Sequence, residues 1–222
     1  MHRSLPIVAV FLVMACNESS SGTAPMGPAA VDKPLDSAVP VVVVLGDSLT
    51  AGPGLSSAEA YPALLQARAR AAGYPHTVVN AGVSGDTTTD AIERFERVLV
   101  PDTRVLVVAL GANDGLRGHS IDTMKANLRR IIERAKSREI QVLLCGMETP
   151  PSHGWDYSIR FHNVFPELAR ELEVPLMPFL LAGVFGDDRL NLPDRFHPNA
   201  AGMRVIAGAM WPYLDPLLKA TS

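Results

Sequence analysis

The chain has 222 residues, 47% of them hydrophobic and 19% charged, which suits one globular domain with a substantial core. Its formal net charge is -3, from 20 basic and 23 acidic residues spread along the sequence. This balance provides no basic patch of the kind that binds a phosphate backbone, so we expect no nucleic-acid partner.

The first 15 residues have the pattern of an export signal. A basic Arg3 precedes an apolar stretch from Leu5 to Ala15 that is too short to span a bilayer. The segment "VMAC", which ends at Cys16, resembles the lipobox of bacterial lipoproteins, in which the cysteine is lipidated and becomes the new N-terminus. The resemblance implies a protein of the bacterial periplasm or cell envelope that is anchored at Cys16 to a membrane surface. Secretion of a soluble protein is the alternative.

Residues 16–39 join this signal to the rest of the chain. They are rich in Ser, Gly, Pro and Ala and poor in large apolar residues, so they cannot bury enough surface to become ordered. We therefore predict a flexible tether here and one folded domain over residues 40–222. The one further cysteine in the sequence, Cys145, lies in the apolar run "VLLCGM" and is expected to be a small core residue.

Five short apolar runs alternate with helical patterns along the domain. Because the runs are continuous and do not alternate with polar residues, they are typical of parallel strands that are covered on both faces. The runs are Val41 to Leu45, His76 to Asn80, Arg104 to Leu110, Ile140 to Met147 and Val174 to Phe179. Their alternation with helices predicts a three-layer α/β/α sandwich with a parallel sheet of about five strands.

The segments between these runs carry signals of helix ends. Ser56 and Glu59 form a capping-box pattern, and a proline near the start of the last helix is followed by Pro212, which should break or bend it. The predicted helices are one from the Ser56 and Glu59 pair to Gly73, one capped by Thr87, one from Ile121 to Ala135, one from Ile159 to Leu172 and one from about Pro198.

Polar loops follow the predicted strands and should meet at one edge of the sheet, since ligands bind outside the carboxyl ends of parallel strands. In the first of these loops, Ser48 could be a nucleophile, or it could be a serine that caps a short helix. Asp47 is expected to order the turn beside Ser48. Asp86 and Asp114, in two other loops, are expected to brace the loop structure.

Four short motifs occur in order along the domain. They are "GDSL" at 46–49, "SGDTT" at 84–88, "GAND" at 111–114 and "DRFHPN" at 194–199. In this order they resemble the four blocks of the SGNH, or GDSL, hydrolases. The spacing between them is similar to that of the bacterial thioesterase I and arylesterase branch of this family, from Val41 to the C-terminus. Four motifs in order make a coincidence improbable.

The resemblance implies a serine hydrolase site. Ser48 would be the nucleophile and His197 its base, since a serine hydroxyl reacts only when a base takes its proton and imidazole titrates near neutral pH. Asp194, three residues before His197, would orient the imidazole. The family reading also gives the backbone N–H groups of Ser48 and Gly85 and the side-chain amide of Asn113 the role of binding the oxyanion.

Two loops are candidates for substrate contacts. The loop from Phe179 to Pro193 is apolar and is the expected wall for an acyl chain, beginning with Phe179 and Leu180. The loop after the fourth strand contains His153 and Trp155 close to the predicted site.

Other classes of site are disfavoured by the sequence. It has no P-loop, no GxGxxG dinucleotide motif and no GxSxG nucleophile elbow. It also has no close group of His, Cys and Asp with the spacing of a zinc site. We expect no metal and no other cofactor.

The sequence thus predicts a serine esterase acting on small-molecule or lipid esters: aryl esters, short- to medium-chain acyl esters, acyl thioesters or lysophospholipids. A carbohydrate O-acetylesterase is the alternative among enzymes, because Trp155 and Tyr157 would suit a sugar. An alternative of another class is a surface lipoprotein that only binds a glycan or a partner. Such a binder would not need the full set of Ser48, Gly85, Asn113, Asp194 and His197.

Overall fold

The computed structural model describes residues 39–222. The predicted signal segment, the candidate lipidation site Cys16 and nearly all of the predicted tether therefore lie outside the described residues. Within the described part of the chain, no helix has both the length and the apolar character needed to cross a bilayer.

Five parallel strands form a single sheet in the order β2-β1-β3-β4-β5. The strands are β1 (Val41–Gly46), β2 (Thr77–Gly82), β3 (Thr103–Ala109), β4 (Gln141–Cys145) and β5 (Leu176–Met177). The prediction of a parallel sheet of about five strands is confirmed, although β5 is shorter than its apolar run. The central strands β1 and β3 are buried from Val42 to Leu45 and from Val105 to Ala109, which explains their unbroken apolar sequences.

Helices cover both faces of this sheet. They are α1 (Ser48–Ala51), α2 (Tyr61–Ala71), α3 (Thr88–Val98), α4 (Ala112–Leu116), α5 (Ile121–Lys136), α6 (Trp155–Glu171) and α7 (Ala200–Ala220), with a 3₁₀ turn at Pro151–His153. The crossover through α2 runs toward one edge of the sheet, whereas those through α3, α5 and α6 run toward the other edge. Right-handed crossovers therefore place α2 on one face and α3, α5 and α6 on the opposite face. Helix α7 packs against α2, which completes the three layers.

Of two predicted helix starts, the structure confirms the one at Thr87 but not the one at Ser56. Thr87 caps α3 in a full capping box, since its backbone N–H donates to Asp90 Oδ2 at 2.9 Å and its Oγ accepts from the Asp90 N–H. Ser56 and Glu59 are also hydrogen-bonded, at 2.9 and 2.7 Å. However, α2 begins only at Tyr61, so this pair stabilises a turn before the helix.

The last two long helices have other bounds than the sequence predicts. Helix α6 begins at Trp155, four residues before Ile159. Helix α7 begins at Ala200, after Asn199 caps it, and continues through Pro212 to Ala220. Of the two predicted outcomes at Pro212, the break is wrong, because the buried apolar face of α7 outweighs the loss of one backbone hydrogen bond, and the bend stays a prediction.

Cys145 lies at the end of β4 and is fully buried. Burial raises the pKa of its thiol far above the ordinary value, because an apolar environment disfavours the thiolate. Cys145 is therefore the core residue that the sequence predicts.

Candidate active site

The strand order creates a crevice between the loops that follow β1 and β3. From β1 the chain crosses to β2 on one side, and from β3 it crosses to β4 on the other, so the two loops diverge at the carboxyl edge of the sheet. Ser48 follows β1, and Asn113 follows β3. The fold thus brings two of the four motifs to the position where ligands bind in sheets of this order.

Ser48 is the first residue of α1, but it does not cap that helix. The cap is Asp47, whose Oδ1 accepts a hydrogen bond from the Leu49 N–H at 2.9 Å. The Ser48 side chain lines a cavity instead. The alternative in which Ser48 is a capping serine is therefore wrong, and the expectation that Asp47 orders the turn agrees with its contact.

A close backbone contact fixes the helix that carries Ser48. The Cβ of an alanine at Gly82, the last residue of β2, would lie 2.4 Å from the Ala51 backbone N and 2.9 Å from the Asp47 carbonyl oxygen. The backbone of β2 therefore packs directly on α1, and only glycine leaves room for this contact.

Ser48, His197 and Asp194 form a continuous hydrogen-bonded chain. Nε2 of His197 lies 2.9 Å from Ser48 Oγ, across a sequence separation of 149 residues. Nδ1 of the same ring lies 2.7 Å from Asp194 Oδ2. With the ring proton on Nδ1, His197 donates to the carboxylate and can accept the hydroxyl proton of Ser48.

The turn that contains Asp194 holds this carboxylate in its ionised form. Asp194 Oδ1 accepts from the backbone N–H groups of His197, at 3.0 Å, and Phe196, at 2.9 Å. The His197 backbone N–H, the His197 ring and the Phe196 N–H, in that order, lower the pKa of Asp194 to about 2. Asp194 is therefore an acceptor for the imidazole throughout the neutral range.

Gly85 and Asn113 line the same cavity as Ser48. Gly85 has φ +88°, a conformation that favours glycine. The Asn113 amide donates to the Asp86 carbonyl oxygen at 2.9 Å, and its Nδ2 lies 3.4 Å from Asp47 Oδ2. The shorter hydrogen bond fixes the amide plane, while the long contact to Asp47 can be exchanged for a ligand oxygen.

A buried ion pair joins these loops. Arg94 Nε donates to Asp86 Oδ2 at 2.6 Å, and Arg94 Nη2 donates to the Gly46 carbonyl oxygen at 3.1 Å. The Arg94 and Asp86 side chains are only 14% and 10% exposed. Arg94 therefore links two parts of the site. One is Gly46, two residues before Ser48, and the other is Asp86, whose carbonyl oxygen accepts from Asn113.

Two further contacts stabilise the region around Gly85 and Asn113. Asp114 accepts from the Thr88 backbone N–H at 2.9 Å and from its hydroxyl at 2.7 Å, which joins α4 to α3. Arg117 Nη2 donates to the Gly85 carbonyl oxygen at 2.9 Å. Asp86 and Asp114 therefore make the bracing contacts expected of them. Sequence reasoning missed Arg94 and Arg117, because nothing local to either residue indicates its distant partner.

Asp47 is a buried carboxyl group next to Ser48. Burial raises its pKa from 3.8 to about 6, and the hydrogen bond from the Leu49 N–H opposes this shift only in part. The loss of hydration, which disfavours the carboxylate, is thus the dominant effect.

The cavity has a volume of about 960 Å³, and Ser48 is part of its lining. Its lining is mainly apolar. The apolar lining residues are Leu49, Pro53, Ala112, Leu116, Met147, Pro150, Pro151, Phe179, Leu181, Phe185 and Phe196. Phe179 lines the cavity in agreement with the sequence-based expectation. Leu180 does not, because its side chain is fully buried in the core, and its neighbour Leu181 lines the cavity instead.

His153 and Trp155 lie outside the cavity lining, which corrects the expectation for both residues. His153 Nε2 lies 3.1 Å from the Leu116 carbonyl oxygen, and its ring packs edge-on against Tyr157. These contacts keep the ring away from the cavity. Gly154, with φ +92°, then directs the chain into α6, and Trp155 becomes an exposed residue of its first turn.

Over residues 39–222, no group of three or more His, Cys, Asp or Glu side chains is arranged to hold a metal ion. The site that the structure describes is built from Ser48, His197, Asp194, Gly85 and Asn113 together with an apolar cavity.

Comparison with known proteins agrees with this geometry. Residues 44–205 match the GDSL-like Lipase/Acylhydrolase family. The chain is 37% identical over 182 residues to Esterase TesA of Pseudomonas aeruginosa, which covers 82% of this chain and 90% of the relative. It is 35% identical over 182 residues to the Thioesterase 1/protease 1/lysophospholipase L1 of Escherichia coli, covering 82% and 86% of the two chains.

A solved structure shares the fold. The psychrotrophic esterase EstA from Pseudoalteromonas sp., inhibited by monoethylphosphonate, superposes with a TM-score of 0.76 at 29% identity. The match covers 81% of this chain and 98% of EstA. By the family match, the relatives and the fold, this chain belongs to the GDSL, or SGNH, hydrolase family.

Proposed function

We propose that this protein is a serine esterase that hydrolyses carboxylic esters through an acyl-enzyme at Ser48. One observation carries the proposal: the hydrogen-bonded chain from Ser48 through His197 to Asp194 begins inside a cavity of about 960 Å³ with a mainly apolar lining. The chain can activate the hydroxyl group, and the cavity can hold an acyl chain beside it.

In the first half-reaction, Ser48 Oγ attacks the ester carbonyl carbon while His197 Nε2 takes the hydroxyl proton. The ionised Asp194 stabilises the imidazolium that forms. The backbone N–H groups of Ser48 and Gly85 and the Asn113 amide bind the oxygen on which negative charge develops. His197 then gives its proton to the departing alcohol or thiol, and the acyl group stays on Ser48.

In the second half-reaction, a water molecule takes the place of the leaving group. His197 removes a proton from this water as it attacks the acyl carbon, and the same N–H donors bind the new oxyanion. The carboxylic acid leaves when Ser48 recovers the proton from His197. One histidine therefore serves as base and as acid in both halves of the cycle.

The cavity lining favours an apolar acyl group. Phe179, Leu181 and Phe185, from the loop after β5, provide one wall, which suits aryl esters, short- to medium-chain acyl esters, acyl thioesters or lysophospholipids. A carbohydrate O-acetylesterase is less well supported, because Trp155 and Tyr157 lie outside the lining. Moreover, the Tyr157 hydroxyl already donates to the His119 carbonyl oxygen at 2.8 Å.

We also propose that the protein is exported and anchored at Cys16 in the cell envelope. This proposal is supported by the sequence of the N-terminal segment, with its short apolar stretch and "VMAC" motif. Mass spectrometry of the N-terminal peptide from native membranes tests it. An acylated Cys16 at the N-terminus is the expected result, whereas an unmodified N-terminus beyond Cys16 contradicts it.

A fluorophosphonate probe tests the proposed nucleophile, since it reacts with activated serine hydroxyl groups. We expect stoichiometric labelling of the wild-type chain and no labelling of Ser48→Ala. Ser84→Ala is the matched control, because Ser84 also lines the cavity but has no imidazole partner among its hydrogen bonds in the described structure. Labelling that persists in Ser48→Ala would place the nucleophile elsewhere. A wild-type chain that is not labelled would favour the non-catalytic binder.

A panel of substrates tests the proposed specificity. Turnover of p-nitrophenyl butyrate and octanoate should exceed that of acetylated xylan, because the cavity lining is apolar. Acyl-CoA and lysophosphatidylcholine distinguish a thioesterase from a lysophospholipase. Preferential release of acetate from the polysaccharide would instead support the carbohydrate esterase.

A further inference from the structure

The large apolar side chains that are exposed in residues 39–222 are unevenly distributed. They are Val39, Val83, Val100, Leu116, Trp155, Ile159, Phe185 and Phe196. Val39 and Val100 precede β1 and β3 and thus lie at the amino edge of the sheet. The other six follow strands at the carboxyl edge, where Ser48 lies, and they include every aromatic residue of the set.

Three of these side chains form the mouth of the cavity. Leu116, Phe185 and Phe196 line the cavity and are exposed to solvent at the same time. Trp155 and Ile159 extend this surface along α6, where they lie one turn apart. The exposed fractions of the five side chains range from 47% for Leu116 to 72% for Trp155. We call these five residues the apolar rim.

The backbone connects the apolar rim to the cavity wall. Pro150 and Pro151 line the cavity and lead directly into the turn that ends before Trp155. His153, in the same turn, is hydrogen-bonded to the Leu116 backbone. The side of the rim on α6 is therefore attached to the side formed by Leu116.

Charged side chains of both signs lie next to the rim. Arg195, beside Phe196, contacts Asp188 at 3.2 Å, and Arg160, beside Ile159, contacts Asp122 at 3.1 Å. Arg117, beside Leu116, is offset by Asp156, beside Trp155, and Glu148 on the cavity wall adds one acidic group. These side chains give the surroundings of the rim no excess of positive charge, so they favour a neutral or zwitterionic surface over an anionic one.

We infer that the apolar rim docks the protein on a zwitterionic lipid surface, from which an ester with a long acyl chain enters the cavity. Exposed apolar patches of this kind mark protein or membrane contacts, and tryptophan favours the boundary between lipid and water. A second protein copy on the rim would cover the entrance to Ser48, whereas a lipid surface supplies the substrate there. The inference rests on the proposed esterase function.

Tryptophan quenching by vesicles of brominated phosphatidylcholine tests this docking on the full chain. We expect the vesicles to quench tryptophan fluorescence in the wild-type protein and in Trp211→Phe, which keep Trp155, but not in Trp155→Phe, which keeps only Trp211. Trp211 is the internal reference because it packs on Tyr74, which precedes β2 at the opposite edge of the sheet. Contact of the rim with lipid brings Trp155, but not Trp211, close to the brominated chains. An anchor elsewhere in the chain does not by itself produce this difference between the two tryptophans.

Catalysis on vesicles gives a second test. The combined change Trp155→Ser and Ile159→Ser lies outside the cavity lining, so hydrolysis of soluble p-nitrophenyl butyrate should stay unchanged. Hydrolysis of lysophosphatidylcholine in phosphatidylcholine vesicles should fall about tenfold or more, since two apolar contacts with lipid are lost. The matched control combines Val39→Ser with Val100→Ser and should change neither rate.

Several results would overturn the inference. These are the absence of quenching in the wild-type chain, quenching that survives Trp155→Phe, and an equal loss of vesicle activity in the control. Dimers that protect Trp155 from vesicles would show that a second copy covers the rim. Failure of the esterase proposal is distinguishable, because it would abolish hydrolysis of p-nitrophenyl butyrate and leave the quenching unchanged.

Discussion

Replacement of Arg94 by methionine tests whether the buried ion pair with Asp86 maintains the site. Methionine has a similar apolar stem but cannot donate to the Asp86 carboxylate or to the Gly46 carbonyl oxygen. Both charged side chains are at most 14% exposed, so Arg94→Met leaves an unpaired carboxylate with little access to water. Breaking one partner of a buried pair costs about 3 to 5 kcal/mol.

We expect a loss at the lower end of this range, about 3 kcal/mol, because the Asp86 side chain keeps some contact with solvent. For a domain of this size, 1 kcal/mol lowers Tm by about 2–4 °C. Differential scanning calorimetry should therefore show a decrease of about 6–12 °C. The exposed pair of Arg138 and Glu96 provides the control: Arg138→Met should change Tm by less than about 3 °C.

Arg94→Met should lower kcat by a larger factor than the factor by which it changes KM. Asp86 holds Asn113 through its carbonyl group, and Gly46 precedes Ser48 by two residues, so the proposed oxyanion donors should lose their alignment. Addition of Asp86→Asn to Arg94→Met removes the unpaired charge and should restore at least half of the lost stability. A Tm within about 2 °C of wild type in Arg94→Met, or no recovery in the double variant, would refute the reasoning.

Three further predictions concern single residues of the site. Asn113→Ala should lower kcat by about 10²- to 10³-fold with little change in Tm, measured with p-nitrophenyl butyrate; a loss of less than tenfold would remove Asn113 from the oxyanion site. Asp47 has its pKa raised from 3.8 to about 6 in the folded state, so the folded chain binds one more proton than the unfolded chain between these values, and stability falls as pH rises through this range. Urea unfolding should then show Asp47→Asn to be more stable than wild type at pH 7, by up to about 3 kcal/mol, and similar to it at pH 3.5; a difference that does not vary with pH would contradict this. Gly82→Ala places a methyl group against the Ala51 backbone and should lower both Tm and the rate of fluorophosphonate labelling, whereas wild-type values of both would show that α1 can move without cost.

The strands could be predicted because burial leaves a local signal. Val42 to Leu45 are buried on both faces of the sheet. A strand with this burial has a continuous apolar sequence, which can be recognised without the structure. The resemblance of the four motifs to the SGNH hydrolases assigned Ser48, Asp194 and His197 to one site, and the fold class explains why they meet. Their loops follow strands or precede the last helix, and parallel strands bring these loops to one edge.

The direction of side chains in the loops could not be predicted. Leu180 and Leu181 are chemically identical neighbours, yet one lies in the core and the other on the cavity wall. Which one faces the cavity depends on how the loop after β5 packs, and no periodicity records this. Similarly, Pro212 has the local properties of a helix breaker, and only the burial of α7 against the rest of the fold overrides them.

The turn from Asp194 to His197 carries the proposed acid and the proposed base on one short segment. Arg195 and Phe196 lie between them, and Phe196 contributes to this turn only its backbone N–H while its side chain lines the cavity. Any residue except proline can supply that N–H. A library at position 196 can therefore redesign substrate selectivity next to the proton-transfer pair without dismantling it. Position 195, with φ +63°, calls for Gly, Asn or Asp in the same library.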